Sequence, residues 1–469
     1  MHDPEPWRSK LYRELGLASV QSAGPAAWLI ILARSLRMFA YGAVSVFIAL
    51  FFSSLGFSDF KIGLFMSLTL LGDVILTLIL TFAADNVGRR KTLLIGSIMM
   101  SVSGLVFWNL ENYWVLLFAA VVGIISASGG DFGPFRAIEE SILSQLTSGK
   151  DRTRSDVLSW YVTTASLGQA IGTEASGRIV GRLKDMDGWD EKRAYHAIFA
   201  LYVVFGIVNA ACVLLLSDRV EAEAIAKEQD AEEIEAEVLL SHQEGDRQNL
   251  EQDQPNPPAS PPPATSTSLS TSRLAQLSPA TRSVMYKLWP LLAVDTLADG
   301  MVNLSLTSYY LTSKFQIASS TLGDITSMAF FLAALSTVFA GPLANRLGLI
   351  NTMVFTHIPS SAAVLLFPLP PNLVITIILF FVRMGLNNMD QAPRAAFIAA
   401  VVPASERTAV NGITSTLRTL SSTAGPLITG SLAGQDSFWI AFVTAGVLRL
   451  SYDFGLWALF VNFNLHQHE

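Results

Sequence analysis

The chain has 469 residues, 51% hydrophobic and only 15% charged, and its mean hydropathy is +0.44. Soluble domains carry roughly 25% charged residues, so the composition excludes an ordinary soluble globular protein. The net charge of −7 is dominated by an acidic central segment and decides little, no feature supports nucleic-acid binding, and the single cysteine, Cys212, excludes an intramolecular disulfide and a cysteine-based metal site.

The N-terminal tail (1–26) is polar and has no short apolar stretch beside a cleavage site, so it does not read as a removable signal. A helix that crosses the ~30 Å hydrocarbon layer needs about 20 apolar residues at about 1.5 Å each. Candidate stretches of that length follow at 27–55, 60–84, 91–109, 113–138, 157–181 and 195–216. The pattern then breaks over 217–284, first an acidic run ("DRVEAEAIAKEQDAEEIEAEVLL") and then a Pro/Ser/Thr-rich one ("DQPNPPASPPPATSTSLSTS"). Such a segment has too little apolar surface to offset its ordering entropy and reads as a disordered linker. Six further stretches follow at 286–312, 321–344, 349–368, 372–399, 408–432 and 437–462, and 463–469 is a short tail. The chain therefore reads as an all-α membrane protein of 12 transmembrane helices, in two six-helix halves at 27–216 and 285–462.

The halves are repeats. A shift of 260 places Gly63, Ala84 and Gly88 on Gly323, Ala344 and Gly348, and a shift of 253 places Gly172, Gly177 and Gly181 on Gly425, Gly430 and Gly434. A shift of 259 lays Asp131–Pro134 on Asp390–Pro393. An even number of spans per half makes the repeats parallel, related by an axis along the membrane normal. Basic residues fall after the second span (Arg89, Arg90, Lys91) and after the fourth (Lys150, Arg152, Arg154), which puts both termini and the linker in the cytosol.

Ionisable residues inside a bilayer are costly and face a partner or a wet cavity. In the first span Arg34, Arg37, Tyr41 and Ser45 form one helical stripe. In the seventh, Asp295, Asp299 and Asn303 form another, and a shift of 258 pairs Arg37, Tyr41 and Ser45 with these three. The tenth gives Arg383, Asn387, Asp390 and Arg394, matched in the fourth by Ser128 and Asp131. Arg136, Glu139 and Glu140 come after Asp131, toward the cytosolic mouth. These charges read either as a hydrophilic path or as interhelical salt bridges, with Arg34 or Arg37 paired to Asp131 and Arg383 to Asp299. Asp73 in the second span is a lone acid, a proton site or a packing hydrogen bond. Glu174 with Arg178, and Arg449 with Asp453, read as ion pairs one turn apart, and His357 reads as a packing residue, with a proton relay as the alternative. No phosphate-binding loop, nucleophile elbow or metal-ligand spacing is present, so neither an enzyme nor a cofactor or metal is expected.

Twelve spans as six plus six, a long middle loop and "ADNVGRRK" between spans two and three resemble the major facilitator superfamily. Asp85, Gly88, Arg89, Arg90 and Lys91 match that family's signature loop, while Thr81 and Asn86 depart from it. The second copy, "GPLANRLG", keeps Gly341, Arg346 and Gly348 but has Asn345 in place of the acid. The resemblance implies that spans one, four, seven and ten line a central cavity. It also implies that Asp85, Gly88, Arg89 and Arg90 form a conformational latch against the start of span eleven, near Arg407 and Thr408. The drug-antiporter marks are incomplete: the Gly-Pro pair lies in span eleven (Gly425–Pro426), not span five. The expectation is a monomeric, proton-coupled secondary transporter in the plasma membrane, exporting a small organic metabolite or drug-like compound. Uptake of an anionic nutrient, or a non-transporting sensor on the same fold, are the alternatives. The expected solute and proton pathway comprises Arg34, Arg37, Tyr41, Asp73, Asp131, Asp295, Asp299, Asn303, Arg383, Asn387, Asp390 and Arg394.

Overall fold

A computed structural model describes residues 16–123, 125, 134–147, 151–217, 220–221, 277–403, 406–435 and 437–461. These residues form helices and no strands. The first half comprises α1 (Leu17–Ser22), α2 (Pro25–Ser45), α3 (Ile48–Ser54), α4 (Asp59–Val87), α5 (Arg89–Asn109), α6 (Tyr113–Val122), α7 (Pro134–Leu146), α8 (Asp151–Lys184) and α9 (Glu191–Leu214). The second comprises α10 (Pro279–Met301), α11 (Leu304–Phe315), α12 (Ser319–Leu347), α13 (Leu349–Leu366), α14 (Leu373–Asn387), α15 (Gln391–Val401), α16 (Arg407–Ala433) and α17 (Phe438–Phe460).

The twelve expected spans are all recognisable, but spans one, four, seven and ten are each two helices. Span one breaks at Val46–Phe47 and span seven at Val302–Asn303; span ten breaks after Asn387. Span four is divided between Val122 and Pro134. The Ser45 carbonyl, at the first break, accepts from Ser305 Oγ of the other half at 2.5 Å. Asn303 stands at the break in span seven. Its side chain caps α11, accepting from Leu306 N at 2.9 Å, as Asn commonly does at a helix start.

Two boundaries differ from the sequence reading. The N-terminal tail contains α1, whose Ser19 Oγ donates to Asp156 Oδ2 at 2.6 Å and whose Val20 is fully buried. The second half begins earlier than 285: Ser278 caps α10 by accepting from Thr281 N at 3.3 Å, and Leu277 is 2% exposed. Six stretches are long and apolar enough to span a membrane by composition alone, among them 25–54, 191–214 and 373–401. Large side chains such as Ile79, Trp114, Phe118, Ile378 and Phe454 are exposed, a pattern that suits a lipid-facing surface.

The halves meet on the side away from the termini, hereafter the far side. There Tyr309 Oη donates to Asp59 Oδ1 (2.7 Å), Arg178 Nη2 to Asp324 Oδ1 (2.8 Å) and the Leu427 amide to Ser67 Oγ (2.9 Å). Two glycine crossings bring the backbones together. A Cβ on Gly177 would lie 2.7 Å from Gly323 Cα, and one on Gly63 2.8 Å from Gly430 Cα. Under the repeat shifts Gly63 becomes Gly323 and Gly177 becomes Gly430, so the two crossings are copies of each other. On the termini side, Arg407 stays within its own half, its Nη2 donating to the Ala399 carbonyl at 2.7 Å and its Nε to Val402 at 3.1 Å.

Candidate functional site

In the first half, Arg37 on α2 is completely buried and donates through both Nη atoms to Glu139 on α7, at 2.9 and 2.8 Å. Tyr161 Oη on α8 donates to the same carboxylate at 2.8 Å. Arg34, 4% exposed, stacks over the Tyr161 ring at 3.8 Å, and Arg37 lies 4.3 Å from the Phe135 ring. A planar guanidinium suits both the two-pronged bond and the stacking. Tyr41 stacks on Tyr202 with centroids 5.9 Å apart. Asp73, 5% exposed, has a carboxylate oxygen, Oδ1, with no hydrogen-bond partner among the described residues.

The second half holds a wider network. Arg449 on α17, fully buried, donates to Asp299 on α10, to Asn387 at the end of α14, to Ser360 Oγ on α13 at 3.2 Å and to His357 Nε2 at 2.8 Å. His357 Nδ1 lies 2.6 Å from Asp453 Oδ1, and Ser361 Oγ donates to Asp453 Oδ2 at 2.7 Å. Asp295 Oδ1 stands 3.6 Å from His357 Nε2 and makes no hydrogen bond. Asp390 and Arg394 pair one turn apart at 3.2 Å. Arg383 turns instead to Thr307 Oγ1 (3.1 Å) and the Val302 carbonyl, at the break in span seven.

Several sequence expectations change here. Arg37 pairs with Glu139, so Glu139 is a buried partner and not a group at the cytosolic mouth. Its neighbours Arg136 and Glu140 do form an exposed pair, at 2.7 Å. Asp299 takes Arg449, not Arg383. Arg449 and Asp453 do not pair with each other; both turn to His357, which is the hub of the network rather than a packing residue. Glu174 and Arg178 pair as expected, at 2.8 Å, and Arg178 also reaches Asp324 across the halves. Asp131 lies outside the described residues.

The signature loop shows its geometry in part. Gly88 has φ +100°, a conformation that side chains with a Cβ rarely adopt. It opens α5, whose first amides, Arg89 N and Arg90 N, donate to Glu221 at 2.7 and 3.2 Å. A carboxylate at a helix N-terminus is favoured by the helix dipole. The Arg90 guanidinium donates to the Val213 and Leu214 carbonyls at the end of α9 (3.3 and 2.6 Å), and Arg89 Nη1 donates to Gln145. These partners lie in the first half or, for Glu221, at the start of the linker that follows it. The side chains of Asp85 and Thr408 lie outside the described residues.

Sequence reasoning missed Glu139, Tyr161, Arg449, Asp453 and the pair Ser360–Ser361. Glu139 had a legible signal: it shares one helix face with Phe135, Ile138, Ile142 and Leu143, all buried. Ser360 and Ser361 had none beyond their place one turn from His357.

The profile of the Major Facilitator Superfamily matches residues 30–282 and 288–465. An uncharacterized membrane protein of Saccharomyces cerevisiae, YJR124C, is 31% identical over 428 residues, which cover 91% of this chain and 92% of that protein. Among solved structures, the nucleoside transporter NupG superposes with a TM-score of 0.64 at 11% identity, covering 94% of this chain and 100% of that one. A D-xylose–proton symporter gives 0.65 at 11% identity, over 92% and 96%. The chain belongs to the Major Facilitator Superfamily, as an integral, multi-pass membrane protein with the fold of its secondary transporters.

Proposed function

We propose that this protein is a proton-coupled transporter that moves a small organic solute out of the cytosol by alternating access. It acts as a monomer in the plasma membrane, with both termini cytosolic. The observation that carries the proton reading is a pair of buried carboxyls, Asp73 and Asp295, each with an oxygen that lacks a hydrogen-bond donor. A carboxylate held inside a bilayer without a donor is costly, and taking a proton removes that cost. Alternating access is supported by the placement of the cross-half bonds on the far side, where they must part for that side to open. Arg383 favours the second reading, uptake of an anionic nutrient. It is 7% exposed, and its two hydrogen bonds go to neutral oxygens, which leaves its charge available to a carboxylate or phosphate.

The test compares the internal level of candidate compounds in cells with and without the protein, with an imposed pH gradient. Lower levels on expression, abolished when the gradient is collapsed, support export; higher levels of anionic compounds support the second reading. A folded Asp131→Asn/Asp390→Asn double variant with unchanged flux removes those two acids from the working set.

A further inference from the structure

The hydrogen inventory around His357 favours one tautomer. A guanidinium carries donors only. Arg449 Nη2 has two N–H groups and three acceptors within reach, Asn387 Oδ1, Ser360 Oγ and His357 Nε2, the last at 2.8 Å. Where one of those N–H groups serves Nε2, that nitrogen presents its lone pair and the ring proton is on Nδ1, donating to Asp453 at 2.6 Å, with Asp453 completed by Ser361 at 2.7 Å. In that arrangement His357 is neutral. It is 2% exposed.

A second ring proton does not fit this arrangement. On Nε2 it would point at the Arg449 N–H, so the Arg449–His357 bond must break. The nearest acceptor for it is Asp295 Oδ1, 3.6 Å away and without a donor of its own. The surrounding charges come from every element packed here: Asp295 and Asp299 on α10, Arg383 on α14, Asp390 and Arg394 at α15, Arg418 on α16, and Arg449 and Asp453 on α17. Tyr452 and Asn387 add neutral groups, and Ser360 and Ser361 flank the ring on α13. The four acids balance the four arginines, so a proton on His357 is what gives the cluster a net charge.

We infer that His357 and Asp295 together form the site that takes up the transported proton, and that its binding exchanges the Arg449–His357 bond for a His357–Asp295 bond. The inference rests on the proton-coupled reading above and names the group that carries it. Arg449 also holds Asp299, just before the break in span seven, and Asn387, at the break in span ten. Turning it away from His357 leaves it only the 3.2 Å bond to Ser360 on α13 and loosens its hold on the two divided spans of the second half. The protonated form therefore loses its preference for the conformation closed on the far side.

The full-length protein, with Cys212→Ser and a reporter Ser176→Cys, tests this. Ser176 is fully buried beside the Gly177–Gly323 crossing, so a water-soluble maleimide reaches it only when the far side opens. Labelling is followed in proteoliposomes from pH 8 to pH 5, each rate divided by that of the same thiol in the denatured protein at that pH so that the loss of thiolate cancels. The expected result is a rise of at least about fivefold as pH falls, with a single midpoint, and a flat profile for His357→Gln. Asp295→Asn, which keeps the arginine contact but offers the new N–H a weaker acceptor, shifts the midpoint to lower pH and guards against misfolding of the histidine variant. If His357→Gln titrates like the parent, the assignment to His357 is overturned while proton coupling stands, carried by another acid. If the parent itself shows no pH response, both are overturned.

Discussion

The two halves share a fold and differ in how they hold charge. In the first, Arg37 and Glu139 form one closed, bidentate pair, sealed by Tyr161, and spans three and six meet through neutral groups. Ser97 Oγ donates to Asn209 Oδ1 at 3.3 Å, and Asn209 Nδ2 donates to the Ala33 carbonyl of span one at 3.1 Å. In the second, spans seven, nine, ten and twelve share a network in which Arg449 divides its protons among four partners. The first arrangement ties one donor to one acceptor, whereas the second leaves a donor shared among several acceptors beside Asp295 Oδ1, which has no donor. Duplication supplied the frame twice, and in the second copy a histidine sits inside the charge network.

The sharpest break of this comparison is Glu139→Ala. It strands a buried guanidinium, and removing one partner of a buried pair costs about 3–5 kcal/mol, read as a large fall in unfolding temperature. Replacing both partners, Arg37→Met with Glu139→Leu, restores most of it. Tyr161→Phe removes one bond to a charged acceptor and is expected to cost about 1.5–3 kcal/mol. At the far side the halves behave alike. Gly177→Ala and Gly63→Ala obstruct symmetry-related crossings and should each raise Ser176→Cys or Ser67→Cys labelling about tenfold, a shift of about 1.4 kcal/mol. Unequal responses would mean that the crossings are not equivalent. Asp299→Asn leaves Arg449 its other partners and should cost about 1 kcal/mol, less than the single-pair change in the first half. Smallest is Arg136→Ala: its exposed pair with Glu140 contributes less than about 0.5 kcal/mol.

Much of the frame was legible in the residues. The glycine shifts that placed Gly63 on Gly323 and Gly177 on Gly430 were legible as a repeat, and those glycines are the ones at which the halves cross, because a backbone contact leaves no choice of side chain. The polar stripes in spans one, seven and ten were legible because helical spacing fixes which residues share a face. Partners were not legible. Whether Arg37 meets Asp131 or Glu139 depends on where span four divides and how α7 is turned, and that is set by packing. His357 was misread for the same reason. Its own span offers only neutral polar groups, and the charges that give it a role arrive from spans seven and twelve.

The bond from Ser305 to the Ser45 carbonyl has a mechanical consequence. It ties the interruption of span one to that of span seven, so each span becomes two levers with a common fulcrum. The long arms, α2 and α10, lie on the termini side of this tie, and the short arms, α3 and α11, lie on the far side. Opening the far side therefore has to break a hinge pin shared by both repeats, so neither span can part there alone.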